Sequence, residues 1–457
     1  MAEGRGRLQR AFGRLRRAWS STGPSPAELE LGPRLIEPEH LDQLRRQLDD
    51  IVRVRGGELA ARRRAQVVAE AFLGYDTDEQ GRFFELLATE YGVDHQAVDT
   101  AMAAVSLAEE PEARGQAESE LRRALTPRWE AVFRRFIGVD SGLAFLVQFR
   151  SDLLARGRLD PSLRLVEEDL RRLLDQFFDV GLLTLTRVTW SSPASLLEKL
   201  IEYEAVHAIT SWDDLRNRLG PDRRLFAYQH PALPDDLLIF VEVALTKGLA
   251  DSIVRLLDPT EIDPDPAEAD TAIFYSISNC QPGLAGVRLG DFLIKRVVGE
   301  LVLELPRLDT FATLSPIPGF RAWLAEHFAA GVDAGPEDDP VGRERLRTAL
   351  ADEDWHRDEA LVSELADALP GLCARYLVEA KRGQRALDPV ANFHLSNGAR
   401  VERVLYLANP DPVGQERALG MMVNYRYEPE HIEARHDAYL HGGEVAVSEE
   451  VRSLLDP

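Results

Sequence analysis

The chain has 457 residues, 45% hydrophobic and 29% charged, a length that calls for two or three cored domains and a balance typical of globular proteins. Its net charge of −23 excludes general attraction to nucleic acid or to an anionic membrane, so an anionic ligand would need a local basic patch. The two cysteines, Cys280 and Cys373, stand too far apart for a disulfide framework or a zinc site, and no apolar run approaches the roughly 18 residues of a membrane span.

Residues 1–25 carry Arg5, Arg7, Arg10, Arg14, Arg16 and Arg17 against one acid, Glu3. Such a segment reads as a mitochondrial transit peptide or as an unstructured bacterial N-terminus. Arg-rich usage throughout the chain favours the second reading, and with it a cytoplasmic location. Against that background four lysines are kept, Lys199, Lys247, Lys295 and Lys381, each a candidate for a needed point charge or for plain surface.

From residue 26 to 176 the apolar residues fall at helical spacing. Leu35–Val54 forms one stripe. Thr77 with Gln80 fits a capping box ahead of Phe83, Phe84, Leu86 and Leu87. Asp160-Pro161 reads as N-cap and first helical position of a helix whose core face is Leu163, Val166, Leu170, Leu173, Leu174 and Phe177. No catalytic constellation stands out, and His40 and His95 read as surface or capping residues. The expectation is a helical bundle with an assembly role.

The pattern changes near Phe178. Leu183–Trp190 alternates as a strand, and Ser192-Pro193 opens a helix running to Ala205. Arg223–Tyr228 and Leu237–Leu245 are strands separated by a Pro-rich turn at Pro231–Asp236. Residues 271–320 then read as strand, Gly-containing turn, helix, strand and proline-stiffened loop. The strand is Ala272–Ser278; Pro282, Gly283, Gly286 and Gly290 break it. Phe292, Leu293, Val297, Leu301, Val302 and Leu305 mark the helix, which Pro306 stops. Thr310–Leu314 delivers Ser315 to the sheet, where Pro316 biases it away from helical angles. A hydroxyl on that support suits an acyl-group site, although Ser-Pro-x-Pro-Gly is also an ordinary loop. Residues 331–357 read as an acidic insertion followed by an amphipathic stretch, and Leu361–Glu379 as helix. Ala391–Ala399 reads as a polar turn holding His394, Asn397 and Gly398, and Val401–Leu407 as strand. Leu419–Tyr427 fits strand or helix. His431 and His436 lie five apart and do not share a helix face, so a surface helix is favoured over a metal site.

Residues 178–457 resemble malonyl-CoA decarboxylase in long, non-repetitive blocks: RVTWSSPASLLEKLIEYEAVHAITSWDDLRNRLGPDRR, VEVALTKGLADSI, AIFYSISNCQPGLAGVRLGDFLIKRVV, FATLSPIPGF, LDPVANFHLSNGARVERV and GMMVNYRY. The resemblance implies an α+β chain: an N-terminal all-helical bundle at 26–176 used in oligomerisation, then a GNAT-like acyl-CoA-binding mixed-sheet domain at 177–457 with a helical insertion at about 331–380. It implies conversion of malonyl-CoA to acetyl-CoA and CO2, no metal and no biotin, and a homo-oligomer, dimer or tetramer, without nucleic-acid or membrane partners. Carried over residue by residue, it implies Ser315 and His394 as catalytic and Ser276 as a further site residue. It places the acyl-CoA loop at Ala285, Gly286, Val287, Arg288, Leu289, Gly290 and Asp291. Arg288 stands where GNAT enzymes place a middle glycine of the pyrophosphate turn, although a grip by backbone N–H groups at the helix start remains available.

The chemistry matches those residue types. Loss of CO2 pushes an electron pair into the thioester carbonyl, and the resulting enolate needs an acid at carbon. His394, with an ordinary pKa of about 6.5, is expected to be that acid. Ser315 is expected to orient the carboxylate or relay a proton, and Asn397 to orient His394. Lys295 and Arg296 are the expected contacts for the CoA phosphates, a solvated helix face being the other reading. The rival functions are a GNAT acyltransferase acting on an acceptor and a non-catalytic acyl-CoA sensor.

Overall fold

The computed structural model describes residues 38–234, 236–260, 265–287, 289, 293–329, 340–352 and 354–455; the readings made for residues 1–25 and 331–339, and Phe292, lie outside them. Two compact units result. The first holds the chain to Leu183 together with His230–Asp235 and Gln281–Arg288; the second holds the remainder.

Among the described residues the first unit has eight α-helices: α1 (Pro38–Val52), α2 (Glu58–Gly74), α3 (Thr77–Glu90), α4 (His95–Leu107), α5 (Pro111–Ala124), α6 (Arg128–Ile137), α7 (Gly142–Leu154) and α8 (Pro161–Phe177). The capping box of α3 sits one residue earlier than the Thr77–Gln80 spacing suggests. The Asp76 carboxylate accepts the N–H groups of Asp78 and Glu79 at 3.0 and 2.9 Å, and Glu79 accepts the Asp76 N–H at 3.0 Å. Two carboxylates at a helix N-terminus complement its dipole, an advantage Thr and Gln lack. Asp160 and Pro161 open α8 as expected, but Phe178, not Phe177, completes its buried face. Leu174 and Phe178 are four apart and so share that face.

Aromatic rings fill the core of this unit. Phe149 lies 4.7 Å from Phe72, 4.9 Å from Phe84, 5.8 Å from Phe83 and Phe145, and 6.0 Å from Phe133, measured between ring centroids. Helices α4 and α5 pack on each other as a hairpin in which only Val98, Ala101 and Ala117 are buried.

The second unit is built on a mixed sheet of β1 (Thr184–Val188), β2 (Arg223–Gln229), β3 (Ile239–Thr246), β4 (Thr271–Asn279), β5 (Thr310–Thr313), β6 (Ser315–Pro316), β9 (Arg400–Leu405) and β10 (Met422–Tyr427); β7 (Lys381–Arg382) and β8 (Arg385–Ala386) form a separate ribbon. The strands run β1-β2-β3-β4-β5-β10-β6, with β9 also paired to β10. Pairing is antiparallel except between β4 and β5, whose parallel pairing requires the crossover helix between them. Four helices of this unit matter below: α9 (Ala194–Tyr203), α10 (Leu293–Glu304), α11 (Ala368–Val378) and α12 (Pro389–Ser396). The fold is therefore helical first and mixed-sheet second, as expected from the sequence. Two local readings change. The stretch read as a polar turn is helix as far as Ser396, the end of α12, because Asp388 caps it and Pro389 starts it, and is a turn only at Asn397 and Gly398. The ambiguous apolar run is strand only from Met422, since Leu419 and Gly420 take left-handed angles, φ 53 and 75.

Parallel pairing of β4 with β5 ends at Phe274 and Thr313, closed by a Leu314 N–H to Phe274 carbonyl bond of 3.0 Å. Beyond that point β4 keeps pairing with β3 and the Ser315 segment with β10. A bulge at Tyr275 marks the same level of β4, where Ser276 faces Glu242 and Phe274 faces Val243.

Truncating the central ring of the helical core, Phe149→Ala, is expected to cost about 3–5 kcal/mol. Chemical denaturation followed by helical circular dichroism should show the midpoint fall; an unchanged midpoint would show that the ring cluster is not a principal source of stability.

Candidate active site

Strand register brings the site together. Ala312 faces Arg426 and Phe311 faces Tyr427, and Ser315 faces Val423 and Pro316 faces Met422 in the same register. The pairing thus crosses Leu314 without a slip. With a period of two, Thr313, Ser315, Val423, Tyr425 and Tyr427 share one face of the sheet. Ala312, Leu314 and Met422 point the other way, into an apolar core with Tyr275, Leu405 and Ala408. Helix α12 carries His394 in its last turn, where the His394 carbonyl accepts the N–H groups of Asn397 and Ala399 at 3.1 Å.

The Ser315 hydroxyl donates to Thr313 Oγ1 at 2.8 Å, and Thr313 Oγ1 also accepts the Tyr425 N–H at 3.0 Å. Ser315 Oγ lies 3.2 Å from His394 Nε2, and His394 Nδ1 lies 2.7 Å from the Tyr427 hydroxyl. The imidazole stacks on Tyr425, with centroids 4.5 Å apart and planes 23° from parallel. Because Ser315 uses its one proton on Thr313, the bond to His394 requires an N–H on Nε2. Nδ1 then accepts from Tyr427.

Burial sets the charge state. Ser315 is 5% exposed and His394 3%. Desolvation pushes the His394 pKa down to about 3 and the Tyr425 and Tyr427 hydroxyls well above their ordinary value. An imidazole titrating near 6.5, as expected from sequence, is therefore corrected to a neutral ring offering an Nε2–H.

The remaining sequence candidates lie as follows. Asn397 is buried, but its amide donates to the Phe393 carbonyl at 2.9 Å, within its own helix end. Tyr427, not Asn397, is the hydrogen-bonding partner of the imidazole, which corrects the orienting role expected for Asn397. The Ser276 hydroxyl lies 2.8 and 2.7 Å from the two carboxylate oxygens of Glu204, which also accepts from Ser278 at 3.2 Å and from the N–H groups of Val206 and His207. Lys295 is half-buried and Arg296 exposed on α10.

Of the loop expected to hold acyl-CoA, Arg288, Gly290 and Asp291 lie outside the described residues; Ala285 and Gly286 are exposed, and Val287 and Leu289 buried. The preceding segment is held tightly inside the first unit. A Cβ on Gly283 would sit 1.8 Å from the Val147 carbonyl oxygen of α7. Buried Arg150, also on α7, donates to the Gly283 and Ala285 carbonyls at 2.6 and 2.7 Å while Nε holds Glu167 at 2.9 Å. Those bonds answer a charge that burial would otherwise penalise.

Thr313, Tyr425, Tyr427, Glu204 and Arg150 were not singled out from sequence. The Tyr-x-Tyr alternation in MVNYRY carried a usable signal, because a strand reading places both rings on one face. Among the described residues no three His, Cys, Asp or Glu gather as metal ligands, and no helix is long and apolar enough to cross a membrane.

Comparison with known proteins gives a consistent result. The family model described as Malonyl-CoA decarboxylase C-terminal domain matches residues 181–457, and that described as Malonyl-CoA decarboxylase N-terminal domain matches 91–178. The chain is 40% identical over 396 residues to the mitochondrial malonyl-CoA decarboxylase of Anser anser anser, covering 81% of this chain and 78% of that one. It is 38% identical over 432 residues to the corresponding protein of Rattus norvegicus, covering 90% and 85%. Among solved structures, malonyl-CoA decarboxylase from Agrobacterium vitis aligns with a TM-score of 0.83 at 38% identity, covering 90% of this chain and 98% of that one. The enzyme from Rhodopseudomonas palustris aligns at 0.81 and 41%, covering 90% and 99%.

The depressed pKa of His394 has a consequence for stability. Between pH 6.5 and about 3 the unfolded chain binds a proton at this ring that the folded chain does not. Stability contributed at neutral pH is therefore lost as pH falls through that window. His394→Asn is expected to show a shallower decline in denaturation midpoint between pH 6.5 and 4 than the parent; parallel declines would contradict a buried neutral imidazole.

Proposed function

The chain belongs to the malonyl-CoA decarboxylase family, and we propose that Ser315 and His394 carry its decarboxylation of malonyl-CoA. The observation that supports this assignment is the 3.2 Å approach of Ser315 Oγ to His394 Nε2 in a buried setting, from positions 79 residues apart. Two polar side chains are held there with a defined proton order, away from water. Preorganised donors of this kind act on developing charge with little reorganisation.

In the proposed sequence the malonyl carboxylate lies against Ser315. The C–CO2 bond breaks, and its electron pair moves into the thioester carbonyl, releasing CO2 and leaving the enolate. The enolate carbon takes the proton of His394 Nε2. As that proton leaves, Nδ1 takes the Tyr427 hydroxyl proton, so the imidazole stays neutral throughout. A solvent proton then returns to Nε2 as Nδ1 gives its proton back to the Tyr427 phenolate, restoring the starting tautomer, and acetyl-CoA departs. The single negative charge moves from carboxylate to enolate to phenolate before solvent neutralises it. The thioester is the electron sink, so the scheme calls for neither biotin nor a metal. The loop at 285–291, with Lys295 and Arg296, is proposed to hold the CoA portion.

The helical hairpin is proposed to join copies of the chain into a dimer or tetramer. Met102, Leu107 and Leu125 are 54%, 80% and 51% exposed on or beside it, an arrangement suited to a second copy. A cytoplasmic location is proposed from the arginine usage of the whole chain, which makes residues 1–25 unexceptional.

The activity test is CO2 release from malonyl-CoA with no acceptor present. His394→Asn is expected to lower kcat about 10²- to 10⁴-fold with KM little changed. Ser315→Ala should also lower kcat, and the Lys295→Ala, Arg296→Ala pair should raise KM alone. Near-parental kcat in the folded His394 variant would reject its role, and turnover only with an added amine would favour an acyltransferase.

Light scattering tests the assembly. The double variant Met102→Glu, Leu107→Glu is expected to shift the protein to a smaller species; an unchanged mass would move the interface elsewhere.

A further inference from the structure

Asp388 differs from an ordinary helix cap. It is fully buried, and one carboxylate oxygen accepts the N–H groups of Val390 and Ala391 at 2.9 Å, which caps α12. By contrast Asp160, which caps α8 in the same way, is exposed. The Asp388 carboxylate also reaches outside its own helix. It accepts the Tyr376 hydroxyl at 3.4 Å, the same hydroxyl against which Gly319 is packed. Gly319 belongs to the loop that follows Ser315, and Tyr376 to α11. Capping alone needs no buried charge, since Ser or Asn would serve. A carboxylate is the side chain that accepts on both sides at once.

The connections from this point to the reacting groups are short and stiff. Gly319 follows Ser315 through Pro316, Ile317 and Pro318, two of which have fixed φ. His394 follows Asp388 by less than two helical turns. The loop is seated closely, since a Cβ on Gly319 would lie 2.2 Å from the Tyr376 hydroxyl and 3.8 Å from Asp388 Oδ2. The Tyr376 ring is itself held between Phe320 and Trp323, at centroid distances of 5.8 and 5.2 Å.

We propose that Asp388 is a positioning residue for decarboxylation, tying the Ser315 loop to the His394 helix so that the two side chains keep their approach. The proposal rests on the reading of Ser315 and His394 as the reacting pair. Asp388 touches no reacting atom. It acts through Tyr376, on which Gly319 is seated, on one side and through the first turn of α12 on the other.

Asp388→Asn separates capping from clamping. Its amide oxygen still caps α12, while its NH2 cannot accept the Tyr376 hydroxyl proton. Loss of the clamp misplaces the pair, so kcat is expected to fall roughly ten- to a hundredfold with KM within about twofold. Wild-type kcat, a rise in KM equal to the loss in kcat, or a loss matching only the unfolded fraction by circular dichroism would overturn the proposal. A second pair of variants decides the matter if Asp388→Asn does not fold. Gly319→Ala should lower kcat by pushing the loop off Tyr376, and adding Tyr376→Phe should restore part of it. No loss, or no restoration, overturns the clamp. His394→Asn is assayed alongside: if it turns over normally, the reacting-pair reading fails, whereas an inactive His394→Asn beside a fully active Asp388→Asn rejects the clamp alone.

Discussion

The constraint on which the site depends is the unslipped pairing of β10 with residues 311–316. That register puts Thr313, Ser315, Tyr425 and Tyr427 on one sheet face and Ala312, Leu314 and Met422 on the other. A shift of one residue would exchange the faces, sending the Ser315 hydroxyl into an apolar core and the apolar side chains toward His394. The register is enforced from both sides. The opposite face buries Ala312, Leu314 and Met422, and Asn424 donates its amide to the Thr313 carbonyl at 2.7 Å. The Ser315–His394 approach is thus placed by hydrophobic packing it does not itself make.

Burial then decides how the polar groups behave. A charged imidazole is disfavoured in this environment, so the ring is neutral and its two nitrogens take different roles from their neighbours. Tyr427 supplies Nδ1, Ser315 faces Nε2, and Thr313 receives the Ser315 proton. A chain of single-proton groups has few consistent arrangements, and this one leaves an Nε2–H directed at Ser315. The sheet unit holds a second buried polar group in a different way. Arg218 donates to Glu242, both nearly inaccessible, and burial still pushes Glu242 up to about 7. Opposite charges meet there, whereas the Ser315–His394 pair is kept without formal charge.

The helical unit contributes more than helix-on-helix packing. Its α7 carries both the Val147 carbonyl against which Gly283 lies and the Arg150 guanidinium that captures two carbonyls of the same segment. The segment leading into the loop at 285–291 is therefore shaped by backbone contact and a buried ion, each intolerant of small change. Ser276, by comparison, is engaged with the Glu204 carboxylate.

The sequence by itself determined the order of the two halves, the strand–helix–strand crossover around residue 292, and the candidacy of Ser315 and His394. Periodicity, proline and glycine placement and long family blocks are local signals, and these features are local or carried by contiguous text. It misread α12 as a turn because HLSNGA looks polar, while the cap that makes it a helix, Asp388-Pro389, lies just upstream. It paired Asn397 with the imidazole that Tyr427 in fact meets, because nearness in sequence stood in for nearness across the sheet. Tertiary structure alone decided which hydroxyls meet the imidazole, that the ring is neutral, and that Asp388 meets the Tyr376 hydroxyl. Those outcomes depend on strand register and on exclusion of water, and both exist only once distant segments have packed.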